Sequence, residues 1–417
     1  MDQINFGDSA FVLFSTALVL LMTPGLAFFY GGMVRRKNVL NTMLSSFFIC
    51  GLASLLWIVI GYSLSFGVDH GGIIGGFNHL FFSGVLVEPN PAYSTTIPET
   101  LFAAFQMMFA IITAALITGS LVERMRFPAL VIFVTAWLII VYFPLAHMVW
   151  GDGGFIKVVI GAVDFAGGDV VHISSGVSGL VACILLGKRR EYGLVSYKPH
   201  NIPFVLLGAA LLWFGWFGFN AGSALTSGPL AVHALLTTNT SAAAALLSWM
   251  LVEQVKQGKP TLLGASTGAV VGLVAITPGA GFVPIWASII IGLVVSPICF
   301  FFMSVVKGKF KYDDALDAFG CHGIGGIWGG IATGIFASQS VNSALPGNGL
   351  IFGEGKLFIA QILSILITIA IASIATFIII KVISLFMEIR VSANDEANGL
   401  DLSEHNETAY PSFTGLD

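Results

Sequence analysis

Two histidines stand out because each sits inside an apolar stretch with the same neighbours. His172 is followed by Gly176 and Gly179, and His322 by Gly326 and Gly329, so the pattern HxxxGxxG occurs twice. Positions i, i+4 and i+7 share one helical face, which lines each imidazole up with two glycines that let another helix backbone come close. An acidic residue precedes each histidine: Asp164 eight positions before His172, and Asp317 five positions before His322. An ionisable group at the centre of a bilayer costs about 3 kcal/mol and therefore usually faces a bundle interior and a function.

Such imidazoles can hydrogen-bond a small polar substrate or relay a proton. The bland alternative is a neutral histidine bonded to a backbone carbonyl for packing. A haem or metal pair is a third reading, but there is no HxxxH, no carboxylate at ligand spacing and no CxxC. Cys50, Cys183, Cys299 and Cys321 read as small buried hydrophobes, so neither a metal site nor a cofactor is implied.

Aromatic residues lie close to these histidine segments. Trp150 falls in the loop before the first, and Trp216, Phe217 and Phe219 fall in WFGWFGFNAGS. An interfacial aromatic belt would explain Trp150. An aromatic cage with a hydroxyl would instead suit a small cation, since cation-π attraction reaches about 2 kcal/mol once desolvated. Asp164 reads either as a cap on the first turn of its helix or as a field source for a cation. No phosphate-binding loop, nucleophile elbow, HExxH or nucleic-acid motif occurs in a plausible context, which argues against an enzyme and against a nucleic-acid partner.

The elements that position these residues follow from composition. Of 417 residues, 56% are hydrophobic and 10% charged, whereas a soluble domain carries about a quarter charged. Apolar runs of bilayer-crossing length predict an all-α polytopic membrane protein with eleven spans. They lie near 11–33, 39–66, 99–121, 128–148, 167–187, 202–221, 232–252, 261–277, 284–306, 316–336 and 357–387. The seventh is the weakest, because Thr237 to Ser241 interrupt it. The first basic residue is Arg35, so the start of the chain lacks the positive n-region of a signal peptide and its first apolar segment should be retained.

The basic residues alternate between loops. Fourteen fall in every second loop, from Arg35, Arg36 and Lys37 to Lys307, Lys309 and Lys311, against Lys157 and Lys356 in the others. The positive-inside rule then puts the N-terminus outside and the C-terminus in the cytoplasm. The two histidine motifs fall in spans five and ten, which cross in opposite directions. That implies an inverted repeat, about 11–187 and about 202–336, with an extra long helix at about 357–387 completing a membrane domain over 1–387. Residues 388–417 read as a cytoplasmic tail. Counting along the helices from their cytoplasmic ends puts His172 about 24 Å deep and His322 about 12 Å.

Five segments together resemble the ammonium transporter family (Amt/Mep, related to the Rh proteins), closest to its prokaryotic branch: AFFYGGMVRRKN at 27–38, AHMVWG at 146–151, DFAGGDVVH at 164–172, GWFGFNAGSA at 215–224 and DAFGCHG at 317–323. The resemblance runs from the first span to the tail. It implies a homotrimer with one pore per subunit, in the cell membrane, moving ammonium or ammonia. It further implies that Phe109, Trp150 and Ser223, with Asp164, form an outer recruitment site, that Phe109 and Phe219 gate it, and that His172, His322 and Trp216 line the pore. A hydrogen bond between the two imidazoles is expected. Asp169 is an extra carboxylate inside the motif. The tail reads GLDLSEHNETAY, where the family commonly has glycine after the histidine, and a PII-type signal protein is the partner that the resemblance suggests there. A Rh-like gas channel and an ammonium sensor are the alternatives.

Overall fold

The computed structural model describes residues 4–410 of the chain. Among the described residues, ten helical stretches are long and apolar enough to cross a membrane: Phe6–Met33, Arg36–Phe66, Glu99–Leu121, Phe127–Trp150, Gly168–Leu186, Ile202–Gly222, Pro229–Gln257, Leu262–Gly279, Ile285–Phe310 and Lys356–Phe386. The helix at 319–336 is not among them. It holds the second HxxxGxxG motif, and its glycines and His322 dilute an otherwise apolar sequence. Counted with the others it is span ten, and Lys356–Phe386 is span eleven.

Several bounds differ from those read off the sequence. Span one begins at Phe6, where the Asn5 side chain accepts the Asp8 N–H at 3.0 Å and caps the helix. Span four continues to Trp150, so this tryptophan closes a helix and does not lie in a loop. Span seven is one unbroken helix despite its run of hydroxyls. Those hydroxyls are satisfied by carbonyls: Thr237 donates to Ala280 at 2.7 Å, Thr238 to Ala234 at 2.5 Å and Ser241 to Gly272 at 2.8 Å. Ser241 thereby ties the helix to span eight and Thr237 to the residue just after it, while the Thr238 bond stays within the helix. Cys183, Cys299 and Cys321 are buried, Cys50 is half-buried, and all are free thiols.

Spans five and ten cross antiparallel, and glycine sets their distance. A Cβ on Gly176 would lie 2.2 Å from the Gly323 nitrogen, and one on Gly326 would lie 3.0 Å from the His172 Cβ. Position 176 therefore faces 323 while 326 faces 172. Both helices open with a π-helical turn, Gly168–Ile173 and Phe319–Gly323, that carries the histidine. Such turns are rare and often mark functional sites. The histidines meet because the two helices pass each other at this point: Gly176, one turn after His172, abuts Gly323, and Gly326, one turn after His322, abuts His172. The two rings lie 5.3 Å apart, so the unequal depths of about 24 Å and about 12 Å counted along the helices are not borne out.

A buried ionic clasp joins the loops of the basic face. Glu123, at φ 70°, pairs with Arg35 at 3.0 Å and Arg189 at 3.1 Å, and Arg189 pairs with Asp313 at 2.8 Å. Burial would raise the Glu123 carboxyl, but Arg189 and Arg35 outweigh it and hold it below the usual range. The tail folds back onto the same face as two short helices, Ala393–Asn398 and Leu400–His405. Asp401 accepts the Asn41 N–H at 2.8 Å, and Glu404 accepts that of Phe127 at 2.9 Å. Asn406 ends the second helix at φ 53°, a left-handed conformation that asparagine tolerates in place of glycine. Residues 411–417 of the tail lie outside the described residues.

Candidate functional site

The histidines, the paired phenylalanines and Trp150 fall along one line through the bundle. At the face opposite the clasp is a cavity of about 170 Å³ lined by Phe102, Gln106, Phe109, Trp150, Phe165 and Ser223. The three residues expected at a recruitment site thus share one hollow. Trp150 donates its indole N–H to the Asp164 carbonyl at 2.9 Å, which fixes the ring. Ser223 donates its hydroxyl proton to the Phe219 carbonyl at 2.8 Å, leaving the oxygen as an acceptor. Lys157 also lines the cavity and brings a positive charge to it.

The floor of this cavity is a plug of aromatic rings. Phe109 stacks on Phe219 with centroids 4.2 Å apart and planes 21° from parallel, while Trp150 meets Phe109 edge-on at 6.0 Å. Phe109 is 1% exposed and Phe219 0%, so no opening is left between the stacked rings. Beyond it is a chamber of about 10 Å³ lined by His172, Trp216, Phe219, His322 and aliphatic side chains. That volume accommodates roughly one water-sized molecule.

Inside the chamber the imidazoles lie near-parallel, 19° apart in plane and 5.3 Å between centroids. The expected hydrogen bond between them is not formed. Both nitrogens of His172 and Nδ1 of His322 have no partner among the described residues. Trp216 packs against His172 at 5.4 Å and donates its indole N–H to Thr277 at 2.9 Å. Unpartnered nitrogens facing a small apolar void are costly unless something polar visits them.

Asp164 does not line the outer cavity. Its carboxylate covers the start of span five, accepting the N–H groups of Gly167 and Gly168 at 2.7 Å each and of Asp169 at 2.8 Å. The capping role is therefore the one its geometry serves, and any effect on a cation acts through the field. Its counterpart is Asp314 and not Asp317. Asp314 also lies eight residues before its histidine and accepts the N–H groups of Ala318 at 3.2 Å and Phe319 at 2.9 Å. Asp317 stands where Gly167 does in the first copy, both with positive φ, and pairs with Lys307 at 2.7 Å. Asp169 turns toward span eleven, where Ser364 donates to it; its other oxygen has no partner among the described residues.

One feature escaped the sequence. A cavity of about 210 Å³ opens on the basic face, lined by Phe29, Trp249, Phe300, Asp317 and Cys321 among others. Its residues come from separate spans with no shared spacing. Cys321, which lines it, is the sequence neighbour of His322 in the chamber.

Helical spans around such a file define a polytopic membrane protein of the transport class. The chain belongs to the ammonium transporter family, whose model matches residues 10–410. It is 53% identical to an ammonium transporter of Bacillus subtilis over 97% of this chain and 99% of that protein. It is 47% identical to ammonium transporter Amt1 of Archaeoglobus fulgidus over 97% and 99%. Among solved structures, Mep2 of Saccharomyces cerevisiae superposes with TM-score 0.88 at 34% identity, covering 94% of this chain and 89% of that one. A structure described as a sensor Amt protein superposes with TM-score 0.88 at 27% identity, covering 96% and 98%.

Proposed function

We propose that this chain transports ammonium by recruiting the cation in the Trp150 cavity, shedding its proton near the phenylalanine gate, and passing neutral ammonia through the chamber of His172 and His322. The observation that carries this reading is the chamber itself: water-sized, apolar, closed by Phe109 and Phe219, and edged with unpartnered imidazole nitrogens. An ion entering so small an apolar space loses its hydration without replacement, whereas ammonia is neutral and can accept or donate to imidazole. Potassium has no proton to lose. Deprotonation converts NH4+ to NH3 and H+, and the histidines could carry that proton onward. The chain is a transport protein and not an enzyme.

The cavity offers a cation aromatic faces from Phe109 and Trp150 and a hydroxyl oxygen from Ser223. Trp150→Leu is expected to raise the half-saturating ammonium concentration about tenfold, read as saturable uptake into reconstituted vesicles. An unchanged concentration dependence would return Trp150 to an interfacial role.

The antiparallel crossing of spans five and ten, with Asp164 and Asp314 in matching caps, supports an inverted repeat over about 11–187 and about 202–336. The placement of basic loops on one face supports an N-terminus outside and a cytoplasmic C-terminus. A homotrimer and a PII-type partner rest on the family resemblance, and the docked tail gives such a partner a surface. A sensing role is the second reading, favoured by the likeness to the sensor Amt structure. Flux in the reconstituted system would separate it from transport.

A further inference from the structure

Two cavities on the basic face meet at Glu407, which lines both. One, of about 380 Å³, is an apolar groove between spans one and two, walled by Pro24, Phe28, Met43 and Phe47 and closed at its foot by His405 of the tail. Pro24 lies inside span one, where it removes a backbone hydrogen bond and disturbs the close packing of the helix surface. Leu44 is 37% exposed and Phe47 57%, so the groove opens sideways, where lipid chains lie. The other cavity, about 430 Å³, is bordered by Arg36, Lys37, Tyr410 and Leu402.

The charges at the junction have one pattern. Arg35 is committed to Glu123 and Glu191. Arg36 and Lys37 form no ion pair among the described residues, nor does Glu407. The Arg36 guanidinium rests over the Tyr410 ring at 5.0 Å, and Lys37 donates to the Ala397 carbonyl. Asp401, the remaining carboxylate at this cavity, forms no ion pair among the described residues either, but it is turned to the start of span two, where one oxygen accepts the Asn41 N–H at 2.8 Å. Two cations and the Glu407 carboxylate, none of them in an ion pair among the described residues, therefore line one junction beside an apolar slot that opens to the membrane.

We infer that this paired cavity seats a phospholipid with a primary-amine headgroup, of the phosphatidylethanolamine class. An acyl chain fills the groove between spans one and two, the phosphate meets Arg36 and Lys37, and the ammonium meets Glu407. Basic pockets beside spans at the membrane surface suit phosphate headgroups. Phosphatidylcholine offers Glu407 no N–H donor, and phosphatidylglycerol leaves it unpaired. A lipid held there touches His405 and Leu402, so it also props the tail helix Leu400–His405 against the bundle.

The test uses the full chain in detergent, exposed in turn to dioleoyl phosphatidylethanolamine, phosphatidylcholine and phosphatidylglycerol, with retained lipid quantified by mass spectrometry after washing. Phosphatidylethanolamine should be retained preferentially. Arg36→Gln should lower its retention about fivefold, and Glu407→Gln should bring it to the phosphatidylcholine level. Phe47→Trp, which narrows the groove without touching a charge, should lower retention of all three and keeps the test decisive if a charge variant fails to fold. Equal retention of the three lipids would overturn the inference. So would release of phosphatidylethanolamine by excess inorganic phosphate, which would make this a free-anion site. Efficient disulfide formation between copies carrying Phe47→Cys would also overturn it, by showing that a neighbouring subunit covers the groove.

Discussion

Replacing Gly176 by alanine strikes at the contact that brings the two histidines together. The added Cβ would lie 2.2 Å from the Gly323 nitrogen and 2.6 Å from its Cα, against an unstrained separation of about 3.5 Å. The obstacle is backbone, which has no rotamer to turn, so spans five and ten must separate by roughly 1 Å. Overpacking of this kind costs about 1–3 kcal/mol, and the rigid neighbour puts this case near the top of that range. Such a loss lowers the melting temperature by on the order of 5 °C. It also widens the gap between the imidazoles and disorders the chamber, so flux should fall well beyond what the lost stability explains. The assay is thermal unfolding of the purified protein together with uptake by reconstituted vesicles. Gly51→Ala is the control: it lies in a helix, has nothing within 4 Å of its Cβ position, and should gain up to about 1 kcal/mol from helix propensity. If Gly176→Ala melts and transports like the parent, close backbone approach is not what positions the histidines.

Two further outcomes are expected. Asp164→Asn keeps one acceptor oxygen but turns an amide group toward backbone N–H donors, so it should lose about 1–2 kcal/mol of stability and also lower flux; normal assembly with parent flux would remove the electrostatic role. Acidification should weaken the clasp: Glu123 and Asp313, though burial favours their neutral forms, are held below their usual range by Arg189 with Arg35 or Arg124. Depressed carboxylates contribute stability that is complete above their unfolded values and is lost as pH falls, so the melting temperature should drop below about pH 4; a melting temperature that rises on acidification would contradict this.

The spans were legible because length and apolarity are imposed by the bilayer, and the two histidines because ionisable groups there are rare. Trp150 was misplaced by two residues at a helix end, where hydropathy gives no boundary. Asp317 is the carboxylate nearest before His322, but equal spacing from the histidine and the same capping bonds make Asp314 the counterpart of Asp164. The expected imidazole bond does not form because sequence places the two rings side by side without fixing their orientation, and they lie near-parallel at 5.3 Å. Asp169 looked like part of the pore motif, yet the turn of the helix sends it toward Ser364 on span eleven. The cavity between Trp249 and Asp317 had no signal at all, since tertiary packing alone assembles its walls.

The most direct test of the account is the ammonium flux of a double-mutant cycle in reconstituted vesicles, comparing the parent with His172→Ala, His322→Ala and the pair. If the two rings edge one chamber, each single variant should lose most of the flux and the pair should lose little more, a coupling of about 1 kcal/mol or greater. Losses that simply add, or single variants that transport at the parent rate, would show that the histidines do not form one pore site.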